Sequence, residues 1–230
     1  DKLNLYRTNF RLHMPGDSMV IDANFHKAAA QNTSIDLYNR VYRVDGIAWQ
    51  GGSLTYDKTF VPRMRHGFDA AHIALNKLNM GVDSLSYDST GVSVNVRTAN
   101  FTEQSGLIVN DLRTRFRLDS THFYLQPFYL RMPQTELKGG VAMALNAFSA
   151  INPGQLAVSL NGFVRINDLQ PLLSGSVPTR FLHAIPTERI DVNGSLRGNM
   201  RNLILQKLRI GMPQHFALKV NGRISNLQSP

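Results

Sequence analysis

LQPFYLRMPQTELKGG, Leu125 to Gly140, is the stretch that decides the fold. Apolar and polar residues alternate up to Met132-Pro133, so Phe128, Leu130 and Met132 fall on one side of a pleated strand and Tyr129 and Arg131 on the other. Proline has no N–H to donate to a ladder, so Pro133 ends or bends that strand. Alternation then resumes. The same order recurs in LYRTNFRLHMPGDSMVIDANF, Leu5 to Phe25, and in LQKLRIGMPQHFALKVNG, Leu205 to Gly222. The three prolines, Pro15, Pro133 and Pro213, lie 118 and then 80 residues apart by subtraction of their numbers. A solenoid has its period fixed by the rung, so this unequal spacing points to an elongated sheet of similar but unequal units.

The rest of the chain reads the same way. Residues 3 to 14 alternate as a strand, and Met19, Ile21, Ala23 and Phe25 share one face of the returning one. Extended structure is expected again at residues 28 to 35. Val44, Ile47, Trp49, Leu54 and Tyr56 suggest two short strands around Gly51-Gly52, followed by a basic, proline-containing loop from Thr59 to Gly67. Further strands are expected over Ile73–Leu78, Gly81–Tyr87, Val92–Thr98, Leu112–Leu118, His122–Leu130 and Val141–Leu145. Val92, Val94 and Val96 alternate with Ser93, Asn95 and Arg97, the pattern of a sheet with one apolar and one wet face. Arg113, Arg115 and Arg117 read as part of a solvated outer face. The pentapeptide Ser53-Leu54-Thr55-Tyr56-Asp57 is echoed by Ser84-Leu85-Ser86-Tyr87-Asp88. One good helix candidate is Asp168 to Leu173, with Asn167 or Asp168 as its cap and Gly175 as its stop. Another turn of helix is expected over Leu182 to Ile185, with strand resuming at Ile190. The fold class is therefore all-β, with many short antiparallel strands and one or two short helices in a single unit spanning residues 1 to 230.

Composition narrows the function classes. Cysteine is absent, which removes disulfides and thiolate metal sites. No apolar run of about 18 residues is present to span a bilayer. The first residue is Asp1 and no basic, then apolar, leader precedes the strands, so the chain reads as an excised piece of something longer. The 25 Lys and Arg exceed the 16 Asp and Glu, giving +9, which favours anionic partners. The cations are scattered and not interleaved with exposed aromatics, which argues against nucleic acid. The seven histidines form no metal-binding spacing, so no metal or cofactor is expected. No nucleophile elbow, phosphate loop or dinucleotide fingerprint occurs. A β-rich hydrolase would need converging carboxylates, and only Glu103, Glu136 and Glu188 supplement the aspartates. An enzyme is not expected.

From Phe68 to Phe148 the chain resembles the Bacteroidetes branch of the TamB proteins, members of the wider AsmA-like group. The resemblance is carried by FDAAHIALNKLNMGVDSLSYD, by the turn Glu103-x-Ser105-Gly106, and by DLRTRFRLDSTHFYLQPFYLRMPQTELKG. It continues through Ile166-Asn167-Asp168-Leu169-Gln170-Pro171-Leu172-Leu173, similar to the family's short helix, and Val192 to Leu203, similar to one of its hairpins. The best-matching part is 68–222; residues 26 to 67 lie outside it.

The resemblance implies a curled sheet, the β-taco or repeating β-groove, in the periplasm, tethered to the inner membrane by a segment outside these residues. It implies phospholipid or another acyl lipid as cargo between inner and outer membranes. It also implies a role in outer-membrane biogenesis, with an outer-membrane β-barrel assembly protein as a partner through other parts. On that reading the groove is lined by Phe116, Leu118, Phe123, Leu125, Phe128, Leu130, Met132, Val141, Met143 and Leu145. Alternation does not say what covers an apolar face, so an ordinary sandwich core remains open for these residues. A β-sandwich or β-helix module binding glycan or protein at the cell envelope is the alternative, and exposed outer aromatic platforms would favour it.

Overall fold

A computed structural model describes residues 2–225 apart from 15, 17, 37, 150, 175–186 and 214. Pro15, the helix stop at Gly175 and the turn expected over Leu182 to Ile185 lie outside the described residues. The strands are β1 (Lys2–Met14), β2 (Met19–Asp36), β3 (Val41–Lys58), β4 (His72–Asp88), β5 (Gly91–Glu103), β6 (Ile108–Asp119), β7 (His122–Arg131), β8 (Glu136–Ala144), β9 (Leu156–Val164), β10 (Ile190–Asn199), β11 (Asn202–Met212) and β12 (Phe216–Ser225). Among the described residues one helix, α1 (Ile166–Leu173), sits between β9 and β10. All twelve strands form one antiparallel sheet in sequence order, unclosed at β1 and β12. Eleven pairings at about 4.8 Å carry it over roughly 50 Å. Among the described residues no helix is long and apolar enough to cross a membrane.

A meander puts its connections alternately at the two ends of the strands. The Met-Pro stretches therefore share one end: Pro133 lies in the β7–β8 reversal, where Met132 donates its N–H to the Thr135 carbonyl at 2.9 Å, and Pro213 lies between paired Met212 and Phe216. Their unequal spacing counts six strands, β2 to β7, between Pro15 and Pro133 and four, β8 to β11, between Pro133 and Pro213. This Met-Pro rim also carries the β3–β4 loop, the β5–β6 turn and α1. In that turn Gly106 takes φ +97, and Glu103, 1 % exposed, accepts the Ser105 N–H at 2.7 Å, so the carboxylate shapes the chain. Thr135 Oγ1 accepts the Arg165 N–H at 3.0 Å, fastening the start of α1 to the proline hairpin.

The opposite rim is built on aspartates. Asp88 accepts the Thr90 hydroxyl and N–H at 2.6 and 2.8 Å, and Asp119 accepts the same two groups of Thr121 at 2.8 and 2.9 Å. Asp36 does likewise with the N–H of Asn39 at 2.9 Å. These bonds hold all three carboxyls below the usual carboxylate range, mainly through the Asn39 N–H for Asp36, the Thr90 hydroxyl for Asp88 and the Thr121 N–H for Asp119. A depressed folded pKa gives stability that is present above the unfolded value, near about pH 4, and is lost as pH falls through the folded value. Thermal melts should hence be insensitive to these groups at neutral pH and fall below about pH 4. Asp119→Asn, which keeps an acceptor but cannot titrate, should shallow that acid slope; an unchanged slope would remove the turn from the account.

Several strands are longer than alternation suggests. The two short strands expected around Gly51-Gly52 are one strand, β3, and Ile73–Leu78 with Gly81–Tyr87 are one strand, β4. Each long strand is creased, with positive φ at Arg7, Asn32, Gly51, Gly52 and Lys77 inside β1 to β4. In β6–β7, β7–β8, β10–β11 and β11–β12 the register shifts at Thr114/Phe116, Leu125/Phe128, Asn193/Ser195 and Leu205/Leu208, neighbouring places across the sheet. An extra residue at a bulge bends the strand and switches the parity of the side chains after it. In β7 that keeps Phe123 and Leu125 on the same face as Phe128 and Leu130.

Candidate functional site

Residues directly opposite in paired strands present side chains to one face. Following the pairing from β3 to β11 gives Val44, Leu85, Val94, Phe116, Leu125, Val141, Val158, Leu196 and Leu205, an apolar row crossing nine strands. A parallel row runs Tyr42, Tyr87, Val92, Leu118, Phe123, Met143 and Leu156. Beyond the crease a third runs Trp49, Met80, Ala99, Leu112, Leu130 and Leu137. Phe116 and Phe123 meet edge to face at 5.6 Å between centroids, as do Phe25 and Trp49 at 5.2 Å.

The intervening rows have the opposite character. Arg43, Ser86, Ser93, Arg117, Tyr124, Ala142, Ala157 and Arg197 form one of them. Arg113, Tyr129, Lys138 and Asn161 belong to another. Arg113, Arg115 and Arg117 are all exposed. Outer aromatics are covered by cations: Tyr129 lies under Arg113 at 5.3 Å and Lys138 at 5.4 Å, and Phe163 under Arg189 at 3.9 Å.

Among the described residues the apolar face is capped near its two rims. At the Met-Pro rim Leu169 and Leu172 of α1 pack on Leu107, Val109 and Met132, with Phe101, Leu112 and Leu130 around them. At the opposite rim Ala147, Leu156 and Leu203 form a second cluster with Met143, Val158 and Leu196. Leu78 and Val82 are 2 % exposed, and among the described residues no second sheet covers them. Between the clusters Phe116, Leu125 and Val141 are half-buried, neither core nor open surface.

The ten residues expected to line a groove divide accordingly. Phe116, Leu118, Phe123, Leu125, Phe128, Leu130, Val141 and Met143 lie on the apolar face and are half-buried. Met132 also belongs to that side but is only 2 % exposed, sealed under α1. Leu145 lies past the end of β8 in the turn to β9, 53 % exposed, because the strand stops at Ala144. Sequence reasoning did not place Val44, Leu85, Val94, Val158, Leu196 and Leu205, the continuation of the row, in the lining. Their signal was present as alternation in each strand, but the register that joins them is set by pairing.

The three glutamates are each engaged locally. Glu103 serves its turn, Glu136 is 3.2 Å from Lys138, and Glu188 is 3.3 Å from His215. Among the described residues no three His, Asp or Glu side chains come together as a metal site would require. A cleft of about 880 Å³ lies between β8 and β12 on the side of Lys138, Arg209 and Lys219. Its Arg189 and Lys138 already pair with Asp191 and Glu136. No family model, curated protein or solved structure matches this chain.

Proposed function

We propose that this chain is a periplasmic groove segment of a TamB-like, AsmA-like protein. In this reading it carries phospholipid, or another acyl lipid, between inner and outer membranes in outer-membrane biogenesis. The observation that carries this reading is the apolar row from Val44 to Leu205, half-buried along a single curled sheet. Such a row gains roughly 0.8 kcal/mol for each lipid methylene it buries. Its nine strands cover about 40 Å. An acyl chain fills half of a hydrocarbon core about 30 Å thick, so one chain occupies under half of the row. The dimension suits a track along which lipid moves better than a pocket closed around one molecule, and the unclosed sheet ends agree with that.

The adhesion or glycan-binding reading finds less support. Its sandwich or β-helix architecture is replaced by one sheet, and the outer aromatics that could serve as platforms lie beneath Arg and Lys. The test is chemical. Protein purified without detergent should yield phospholipid or fatty acid on extraction and mass spectrometry, and should take up a fluorescent fatty acid. Failure of both removes the lipid reading.

A further inference from the structure

The loop joining β3 to β4 on the Met-Pro rim is unlike the other connections. Phe60 is 85 % exposed, with Val61 at 43 % and Met64 at 45 %. Lys58, Arg63, Arg65 and His66 stand among them, all exposed, and no Asp or Glu occurs from Lys58 to Gly67. Of these four, Arg63 alone is matched to a carboxylate among the described residues, that of Asp57 at 2.6 Å.

This loop is braced from behind. Lys58 donates its N–H to the Ala71 carbonyl at 2.9 Å and Thr59 donates to Ser18 at 2.9 Å, tying the loop to its own base and to the β1–β2 turn. Buried Asp69 accepts the Met64 N–H at 2.7 Å and the Ala71 N–H at 3.0 Å. Buried His72 lies 2.7 Å from the Val61 carbonyl and 2.6 Å from Asp57. These anchors grip backbone atoms of Val61 and Met64, so their side chains and that of Phe60 are held outward. A loose loop would tuck a phenylalanine against the sheet; a braced one presents it.

We propose that this loop is a membrane-docking foot: Phe60, Val61 and Met64 enter the interfacial layer of an anionic bilayer while Lys58 and Arg65 meet lipid phosphates. Exposed apolar side chains amid uncompensated cations match both properties of such a surface, an apolar interior and a negative face. A basic protein partner is disfavoured by the charge, and an acidic one leaves the exposed phenylalanine unexplained. Docking sets the Met-Pro rim, with α1 and the proline hairpins, toward the bilayer. The inference rests on the loop alone and not on what fills the apolar face.

The test is co-sedimentation of the whole chain with vesicles of phosphatidylcholine containing about one third phosphatidylglycerol, at low salt. Binding is expected there and should fall about tenfold on pure phosphatidylcholine or when salt shortens the Debye length. The variant F60S/V61S/M64S should bind about tenfold more weakly, and K58E/R65E similarly, each with an unchanged circular-dichroism melt. In Phe60→Trp, indole emission should shift to the blue on adding vesicles and be quenched by brominated acyl chains. Absence of vesicle binding by the wild type overturns the proposal. So does binding that both loop variants retain, or that F148S/I151S on the opposite rim loses instead. Uptake of a fluorescent fatty acid in the absence of vesicles should be the same in all loop variants; its loss in the wild type bears on the groove and leaves the foot standing.

Discussion

Leu125→Asp is expected to weaken acyl-lipid binding roughly 100-fold, equivalent to about 2.7 kcal/mol, while the sheet stays folded. Leu125 pairs with Phe116 on β6 and Val141 on β8, near the middle of the apolar row and away from both rim clusters. Its side chain is half-buried, so a carboxylate there keeps contact with water in the empty protein and costs little stability. A lipid chain laid along the row must strip that water from it, and an unpaired charge resists desolvation strongly. The two effects separate in a fatty-acid titration run beside a thermal melt. A collapse of the melt would show a closed core at this position. Unchanged binding in a folded variant would move the lipid off this face. Leu130 and Met143 are poorer places for the same charge, because the α1 cluster and the Ala147 cluster partly cover them. Met132→Asp, at 2 % exposure, should fail to fold.

How far this architecture could be read beforehand depends on the scale of the question. Within one flat segment the reading is local and secure: Val92, Val94 and Val96 against Ser93, Asn95 and Arg97 can only be a strand with one wet face. The positions where the pattern slips are harder. Gly51-Gly52 and the step from Leu78 to Gly81 read as strand ends, since a turn and a bulge both use residues tolerant of positive φ. What distinguishes them is whether the chain returns beside itself or goes on beside its old neighbours. That is decided in β2 and β4, far along the sequence. The helix shows the same limit. Asn167 or Asp168 looks like its cap, yet Arg165 occupies that place and the Asp168 carboxylate accepts the Gln134 N–H of the β7–β8 reversal at 2.7 Å. A partner 34 residues away took the acceptor that local pattern assigned to the helix. β9 escaped sequence reading altogether, although Leu156, Val158 and Leu160 alternate. Apart from β9, the row of nine lining strands was legible strand by strand, and it was invisible as a row.

Gly52→Ala should cost about 3 kcal/mol or more, because it strikes a crease that lets a long strand fold over the apolar face. Gly52 has φ +147, a conformation that side-chain-bearing residues rarely adopt. A Cβ built there would lie 1.9 Å from the Asn24 carbonyl oxygen and 2.8 Å from its carbon. Both atoms are backbone of β2, paired across Phe25↔Gly52 and Asn24↔Ser53, so neither can retreat without opening the β2–β3 ladder. For a chain of this size the loss corresponds to a fall in Tm of roughly 6 to 12 °C. Gly222→Ala is the matched control: a Cβ there meets nothing within 4 Å, and the change should stay within about 0.5 kcal/mol. Hydrogen exchange locates the damage. Amides of β2, β3 and β4 around the crease should lose protection in Gly52→Ala before those of β7 and β8, since each strand contacts chiefly its sequence neighbours. If Gly52→Ala melts with the wild type, the crease can shift along β3 without penalty, and glycine is not what bends the sheet there. If protection is lost evenly across all strands, the sheet opens as one cooperative body, and a single crease governs the whole groove.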